Sequence, residues 1–167
     1  MGSRGPRPLA GAGRAHGFSM EVFMMIVDQI SVFIENKLGT LAEVTEVIGA
    51  AGIDLRALSL ADTAEFGVLR MIVSDPDRAN RLLREAGFAV TVTKTLAVSI
   101  PDTPGGLAKV LRILTENHVT VEYAYASITR RENNAYVILR VGDNEQAQKL
   151  LAEHGVNTTT DKNLFSN

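Results

Sequence analysis

Residues 99–110 read SIPDTPGGLAKV, and residues 33–44 read FIENKLGTLAEV. Each stretch leaves a run of alternating apolar residues, crosses a glycine-containing turn and enters a segment with apolar residues at helical spacing. A glycine turn that feeds a helix N-terminus can hold an anion, but it is also an ordinary connection between a strand and a helix. Either use is open from one stretch alone.

The two stretches are copies of one repeated pattern. A shift of 66 positions places residues 36–42 on residues 102–108. The shift also aligns a strand before each loop and a helix after it, because the apolar positions keep the same phase. The matched strand residues are Ile30, Val32 and Ile34 with Leu96, Val98 and Ile100, and the matched helix residues are Leu41, Val44 and Ile48 with Leu107, Val110 and Leu114.

Each copy continues with a hairpin, a second helix and a last strand. The hairpins are expected over 53–73 and 119–141, and the longer second turn changes the shift to 68. Asp75-Pro76 and Asp143 with Gln146 are typical helix N-termini, and Gly87 and Gly155 are typical helix ends. Final strands are expected at 88–93 and 156–160.

The pattern predicts an α+β fold made of two ferredoxin-like βαββαβ units. Right-handed crossovers give each unit a four-stranded antiparallel sheet in the order 4-1-3-2, with both helices on one face. We expect the first domain over residues 20–94 and the second over 95–167, with a short link at Lys94. Units of this size are marginal alone, so we expect them to join side by side into one larger sheet.

The composition and the charge of the chain exclude some classes of function and disfavour others. The chain has 167 residues and no cysteine, which excludes thiolate chemistry and is compatible with a cytoplasmic location. Residues 1–19 are rich in Gly, Pro and Arg, and we expect them to be a disordered leader or a tag. Their three arginines leave a charge of −5 on the remainder of a chain whose net charge is −2, which favours neither nucleic acid nor an anionic membrane. The apolar run 22–27 is too short to span a bilayer.

Over residues 28–160 the sequence resembles a tandem pair of ACT domains. ACT domains are small modules that bind amino acids and regulate metabolism. The resemblance rests on VFIENKLGTLAEVTEVIGAAGIDLRALSL and VSIPDTPGGLAKVLRILTENHVTVEYAYASI. In each copy a polar Asn or Asp ends the first strand, and a Gly precedes a helix that carries Leu. The presence of two copies in equivalent places strengthens the resemblance.

The resemblance implies a ligand pocket between the first loop of one unit and the edge of its neighbour. The helix N-terminus at Thr40 or Gly106 offers backbone N–H groups to a carboxylate, and Asn36 or Asp102 can accept hydrogen bonds from an ammonium. The predicted ligand-binding residues are Asn36, Leu38, Gly39, Thr40, Leu41, Ile53, Asp54, Asp102, Thr103, Pro104, Gly105, Gly106, Leu107 and Tyr123.

The two copies differ in their polar residues. Because Asp102 carries a full charge and Asn36 does not, we expect Asp102 to mark the tighter ammonium site. The glycines allow a ligand to approach the backbone, and the second strands are expected to line the side-chain end. Tyr123 and Tyr125 share one strand face, where they either stack on a ligand or fill the interface between units.

Several of these residues also have a purely structural interpretation. Thr40 with Glu43 forms a capping-box pattern that can serve only to start a helix, and Asn, Asp and Gly suit any turn. His118 occupies the helix-end position that Gly52 fills in the first copy, and no histidine has a partner at metal-ligand spacing. RNA binding of the RRM kind requires aromatic residues on the central strands, and FGVLRMIV and AYVILRV carry at most one each.

We therefore predict a non-catalytic amino-acid sensor of the cytoplasm, without a cofactor, metal, nucleic-acid or membrane partner, acting as a homodimer. A sensor must act on something else, so a partner enzyme of amino-acid metabolism is implied. The alternative is a regulatory subunit that works by association with an enzyme such as acetolactate synthase. The small subunits of that enzyme are similar in the first unit only.

Overall fold

The computed structural model describes residues 23–128 and 134–158. The predicted leader, the turn at 129–133 and residues 159–167 lie outside this part of the chain. Within the described residues the elements are, in order, β1 (Phe23–Glu35), α1 (Thr40–Ala50), β2 (Leu55–Asp62), β3 (Phe66–Val73), α2 (Pro76–Glu85), β4 (Ala89–Pro101), α3 (Gly106–Glu116), β5 (Val121–Ala126), β6 (Asn134–Val141), α4 (Asn144–Glu153) and β7 (Asn157–Thr158).

One sheet runs through both units, in the order β2-β3-β1-β4-β6-β5, with β7 paired to β1. Its centre is the antiparallel pair of the 13-residue strands β1 and β4, in which Asp28 lies opposite Lys94. These two residues are also equivalent positions of the 66-residue repeat. The approximate two-fold relation between the units therefore passes between them, and their side chains form an ion pair of 2.7 Å. Lys94 lies inside a continuous strand that both units share.

The fold class is confirmed, but the place of the last strand differs from the prediction. In the first unit the order β2-β3-β1-β4 matches the expected 4-1-3-2 arrangement. In the second unit, β1 fills the position beside β4, since Met24 lies opposite Val98. β7 is consequently displaced outward and pairs in parallel with the start of β1. The expectation of a strand from Ile30 was too short, because the apolar run 22–27 largely belongs to the same strand.

All four described helices lie on one face of the sheet. Even-numbered residues of β1 contribute to both main cores, so both cores lie on the same side of that strand. The first core packs Ile30, Val32 and Ile34 against α1 and α2, and the second packs Met24 with β4, α3 and α4. The helical spacing read from the sequence is confirmed by the buried positions Val44, Ile48, Val110 and Leu114.

The opposite face of the sheet is also largely buried, because the sheet curls until its two edges approach each other. Ala57 of β2 forms an isolated antiparallel bridge with Ser127, just beyond β5. The Arg56 carbonyl accepts hydrogen bonds from the Ile128 N–H at 2.9 Å and from Ser127 Oγ at 2.6 Å. This closure buries a third apolar cluster, made of Ala57, Ile72, Ala97, Tyr136 and Ile138.

The second helix of each unit begins as the sequence predicts. The Asp75 side chain accepts a hydrogen bond from the Arg78 N–H at 3.1 Å, and the Asp143 side chain accepts one from the Gln146 N–H at 2.9 Å. All four described helices end in paired backbone hydrogen bonds of the Schellman type. Three of these ends use a glycine with positive φ, whereas the end of α3 uses His118 at φ 58°.

We expect His118→Gly to raise the free energy of unfolding by about 1 kcal/mol. A left-handed backbone costs a side-chain-bearing residue roughly 1–2 kcal/mol, and part of this gain is lost to the greater freedom of glycine in the unfolded chain. Chemical denaturation of the two proteins measures the difference. Gly52→His, at the equivalent end of α1, should produce a loss of similar size.

Candidate functional site

The two loops between the first strand and first helix of each unit have the same backbone hydrogen bonds. Lys37 N–H donates to the Glu35 carbonyl and Thr103 N–H donates to that of Pro101, both at 2.8 Å. The next bond in each loop also repeats, since Gly106 N–H donates to the Thr103 carbonyl as Thr40 N–H does to that of Lys37. The repeat detected in the sequence is therefore a repeat of loop geometry.

Each loop ends at a glycine that serves as the N-cap of the following helix. Gly39 has φ 90° and Gly105 has φ 87°, and neither helix receives a hydrogen bond from a capping side chain. The expected capping box of Thr40 and Glu43 is therefore wrong, because Thr40 is already the first helical residue. First-turn N–H groups have no partner within a helix. The result is a positive helix end that can receive an anion.

The glycines of the second loop have different roles. A Cβ added to Gly39 or Gly105 would meet nothing within 4 Å, so the space in front of both is open. A Cβ on Gly106 would lie 2.3 Å from the Pro101 carbonyl oxygen. Gly106 is buried, and its lack of a side chain is explained by the close approach of the preceding strand rather than by access for a ligand.

A cavity of about 160 Å³ lies beside the first loop on the helix-covered face. It brings together the predicted residues Asn36 and Leu41. It also includes Leu60 and Asp62 at the end of β2, which the sequence analysis did not select. A second cavity of about 350 Å³ lies on the other side of the same loop. The full lining of the first cavity is Ile34, Glu35, Asn36, Lys37, Leu41, Leu60, Asp62 and Gly67.

The other predicted residues of the first unit do not line this cavity. Leu38 and Gly39 are exposed in the loop, and Thr40 is half-buried at the start of α1. Ile53 is buried in the core of the first unit, and Asp54 lies at the far end of β2, close to Arg56. The residues at the end of β2 were missed because the strand's direction decides which end faces the loop. The predicted hairpin does indicate which end of β2 this is, because Asp62 lies where β2 enters the turn to β3.

Tyr123 lies in a polar network on the face opposite the helices. The Gln29 side chain is fully buried, and its Nε2 donates to Tyr123 Oη at 2.8 Å and to Ser31 Oγ at 3.1 Å. Tyr125 Oη donates to Gln29 Oε1 at 2.9 Å. The Arg70 guanidinium stands 4.1 Å from the centre of the Tyr123 ring. Burial, helped by Tyr123, raises the pKa of Tyr125, and Arg70 opposes this. The network joins the two units and lies away from both loops.

The second loop exposes most of its predicted residues. Asp102, Thr103, Pro104 and Gly105 are exposed, whereas Leu107 is half-buried and packs against the core of the second unit. The loop follows β4, and the first loop follows β1, so antiparallel pairing places them at opposite ends of the sheet. Their separation along the strands is roughly 45–50 Å. The two loops of one chain therefore cannot share one small ligand.

The described part of the chain shows neither a metal-binding cluster nor a membrane-spanning helix. Within residues 23–128 and 134–158, no three His, Asp or Glu side chains gather closely enough to hold a metal ion. No helix in these ranges combines the length and the apolar character that crossing a bilayer requires. Two further cavities lie at the turns before α2 and α4, away from both loops.

Several solved structures resemble this fold. Protein BT0572 from Bacteroides thetaiotaomicron is 42% identical, with a TM-score of 0.75, and the match covers 80% of this chain and 92% of that one. The ligand-free regulatory subunit of aspartate kinase from Thermus thermophilus is 18% identical, with a TM-score of 0.58, over 81% and 97% of the two chains. The regulatory subunit of aspartate kinase from Thermus flavus is also 18% identical, with a TM-score of 0.57, and the match covers 81% of this chain and 97% of that one.

The likeness to the aspartate kinase subunits concerns the fold alone. Comparison with curated proteins finds no match. The sequence does match the family described as "ACT domain pair" over residues 25–167, which spans both units and both loops. The resemblance inferred from the two loop motifs is thereby confirmed, and the chain belongs to the ACT domain pair family.

Proposed function

We propose that the protein is a non-catalytic regulatory protein that binds a free amino acid at its strand-to-helix loops. The observation that carries this proposal is the pair of loops with the same geometry, each presenting an open glycine and an uncapped helix N-terminus. The other open glycines with positive φ among the described residues, Gly52, Gly87 and Gly155, stand at helix C-termini, whereas Gly39 and Gly105 stand at helix N-termini. Membership of the ACT domain pair family supports the same function.

The groups around each loop suit a zwitterion. The helix N-terminus attracts a carboxylate through its free N–H groups and its partial positive charge. Asn36 in the first loop and Asp102 in the second are exposed and can accept hydrogen bonds from an ammonium. Lys37 forms an ion pair with Glu35, so the first loop carries both signs of charge close to its helix. The ligand's side chain is then directed toward the adjoining strands.

The proposal includes a homodimer and a partner enzyme in the cytoplasm. Because the two loops of one chain lie at opposite ends of the sheet, a second unit that covers either loop must come from another molecule. Large apolar side chains are exposed around the first loop, including Phe33, Leu38 and Phe66. Exposed apolar groups that cluster in this way favour a protein contact. Light scattering on the purified chain tests the dimer.

We expect at least one common amino acid to raise the thermal midpoint of unfolding. A ligand at a hundred times its dissociation constant stabilises the native state by about 2.7 kcal/mol. In a domain of this size that corresponds to a rise of roughly 5–10 °C. A thermal-shift panel of the common amino acids at millimolar concentration is the measurement. A flat response across the whole panel would contradict the proposed function.

Loop variants provide the control for this experiment. Asn36→Ala combined with Asp102→Ala removes one proposed ammonium acceptor from each loop, and we expect it to reduce the shift. Glu85→Ala, at the exposed end of α2 and away from both loops, should leave the shift unchanged. Equal responses from the two variants would show that the stabilisation arises elsewhere in the molecule.

A further inference from the structure

We propose that the first unit selects an amino acid with a small aliphatic side chain, and that the second unit does not share this selectivity. This inference rests on the proposed function, because it concerns the cavity beside the first loop. It adds a ligand class, a specific seat for the side chain, and a second ammonium acceptor, Asp62. The lining of the cavity supplies the argument.

The walls of the cavity next to the loop are aliphatic. Ile34, Leu41 and Leu60 line it, and the two leucines remain 38% and 45% exposed. Its floor is Gly67, which lies opposite Ile34 in the strand pair. A Cβ at Gly67 would come within 3.1 Å of Leu60 Cδ1 and 3.5 Å of Ile34 Cγ1. Because Gly67 has no side chain, Leu60 and Ile34 can pack closely over it, and this part of the cavity wall presents methyl and methylene groups.

Such a space accepts an aliphatic group and penalises a charged one. Burying an uncompensated charge against these side chains costs far more than burying a methyl group recovers. At about 160 Å³ the cavity is larger than a single water requires, but it is small compared with sites for drug-sized molecules. Side chains of the size of valine, leucine or isoleucine fit these limits.

The polar side of the cavity holds two acceptors, one from each of the two strands that flank β3 in the sheet. Asn36 directly follows β1, and Asp62 ends β2, opposite Gly67. Both side chains line the cavity together with the Glu35–Lys37 ion pair. A carboxylate that accepts from an ammonium gives a charge-assisted hydrogen bond, which is stronger than a neutral one. Asp62 thus supplies the full negative charge that Asn36 lacks.

The second unit has different residues at the equivalent places. Its strand pair puts Ala135 opposite Ile100, where the first unit has Gly67 opposite Ile34. The same registers place Ala126 at the position of Leu60, and two residues further along the chain Ile128 stands where the first unit has Asp62. The second unit therefore has a side chain on the floor, a smaller wall and no carboxylate there. These differences reverse the ranking expected from Asp102 alone.

Titration calorimetry on the full chain tests this inference. The ligands are L-leucine, L-valine, L-lysine, L-aspartate and 4-methyl-2-oxopentanoate, the keto acid that keeps leucine's side chain but lacks its ammonium. We expect leucine or valine to bind at one strong site per chain. We expect lysine, aspartate and the keto acid to bind at least tenfold more weakly. Asp62→Asn should weaken leucine binding at least tenfold, and Gly67→Ala should weaken it several-fold.

Matched variants of the second unit complete the design. Glu145→Gln, at an exposed position of α4 away from both loops, and Ala135→Ser should change leucine affinity less than twofold, and thermal unfolding without ligand verifies that each variant is folded. Tighter binding of lysine or aspartate, or leucine binding unaffected by both Asp62→Asn and Gly67→Ala, would overturn this inference while leaving the proposed function intact. Two equal sites per chain would overturn the asymmetry. Absence of binding by every amino acid would overturn both proposals.

Discussion

Gly106→Ala is expected to lower the free energy of unfolding by about 3 kcal/mol. The new Cβ would lie 2.3 Å from the Pro101 carbonyl oxygen, and both atoms belong to backbone that cannot rotate away. Forcing an added methyl group into a packed site costs 1–3 kcal/mol and occasionally more. Chemical denaturation of the variant and the parent protein measures the loss.

Gly142→Ala is the matched control for this prediction. Gly142 follows β6, and its φ is not positive. A Cβ added there would meet nothing within 4 Å. We expect its substitution to change stability by less than about 0.5 kcal/mol. A Gly106→Ala variant as stable as this control would show that the strand does not approach the helix as closely as described.

Gln29→Leu is the second substitution with a large expected effect, again a loss of about 3 kcal/mol. Leucine has a similar size but leaves Tyr125 Oη without its acceptor and removes the donor to Tyr123 and Ser31. A buried polar group left without a partner costs about 1–3 kcal/mol. The loss should appear in both thermal and chemical unfolding, since the network ties the first unit to β5.

A double-mutant cycle separates the network from simple packing. If Tyr125→Phe is added to Gln29→Leu, the orphaned hydroxyl disappears, so the combined loss should be smaller than the sum of the two single losses. Gln146→Leu, at an exposed position of α4, controls for the exchange of side chains. Strict additivity of the two buried substitutions would contradict the coupling described here.

Most of the fold follows from local sequence patterns. Alternation and helical spacing locate the strands and helices, and the two aligned copies show that the unit is repeated. The position of β1 beside β4 in the second unit does not follow, because strand pairing over long sequence distances depends on which partner buries more surface. Phe23 to Val27 lack a polar face, so alternation could not mark them as part of β1.

The candidate site was predictable in its loops and, apart from Leu41, not in its walls. Asn36, Gly39 and Asp102 are marked by the repeat itself, and they remain predicted ligand-binding residues. Leu60 and Asp62 reach the cavity only because β2 runs antiparallel to β3, and this brings its last residues to the first loop. The need for glycine at position 67 arises from the Leu60 side chain, which packs over it only in the folded chain.

Amide chemical shifts recorded during an L-leucine titration test the central claim most directly. If an amino acid binds at the first loop, the largest changes should fall on residues 39–42, Asp62 and Gly67, with smaller changes at residues 105–108. Binding through the helix N-terminus requires the shifts of the Leu41 and Ala42 amides to move. A titration that moves no amide around either loop, or moves only amides of the Gln29 network, would contradict the account.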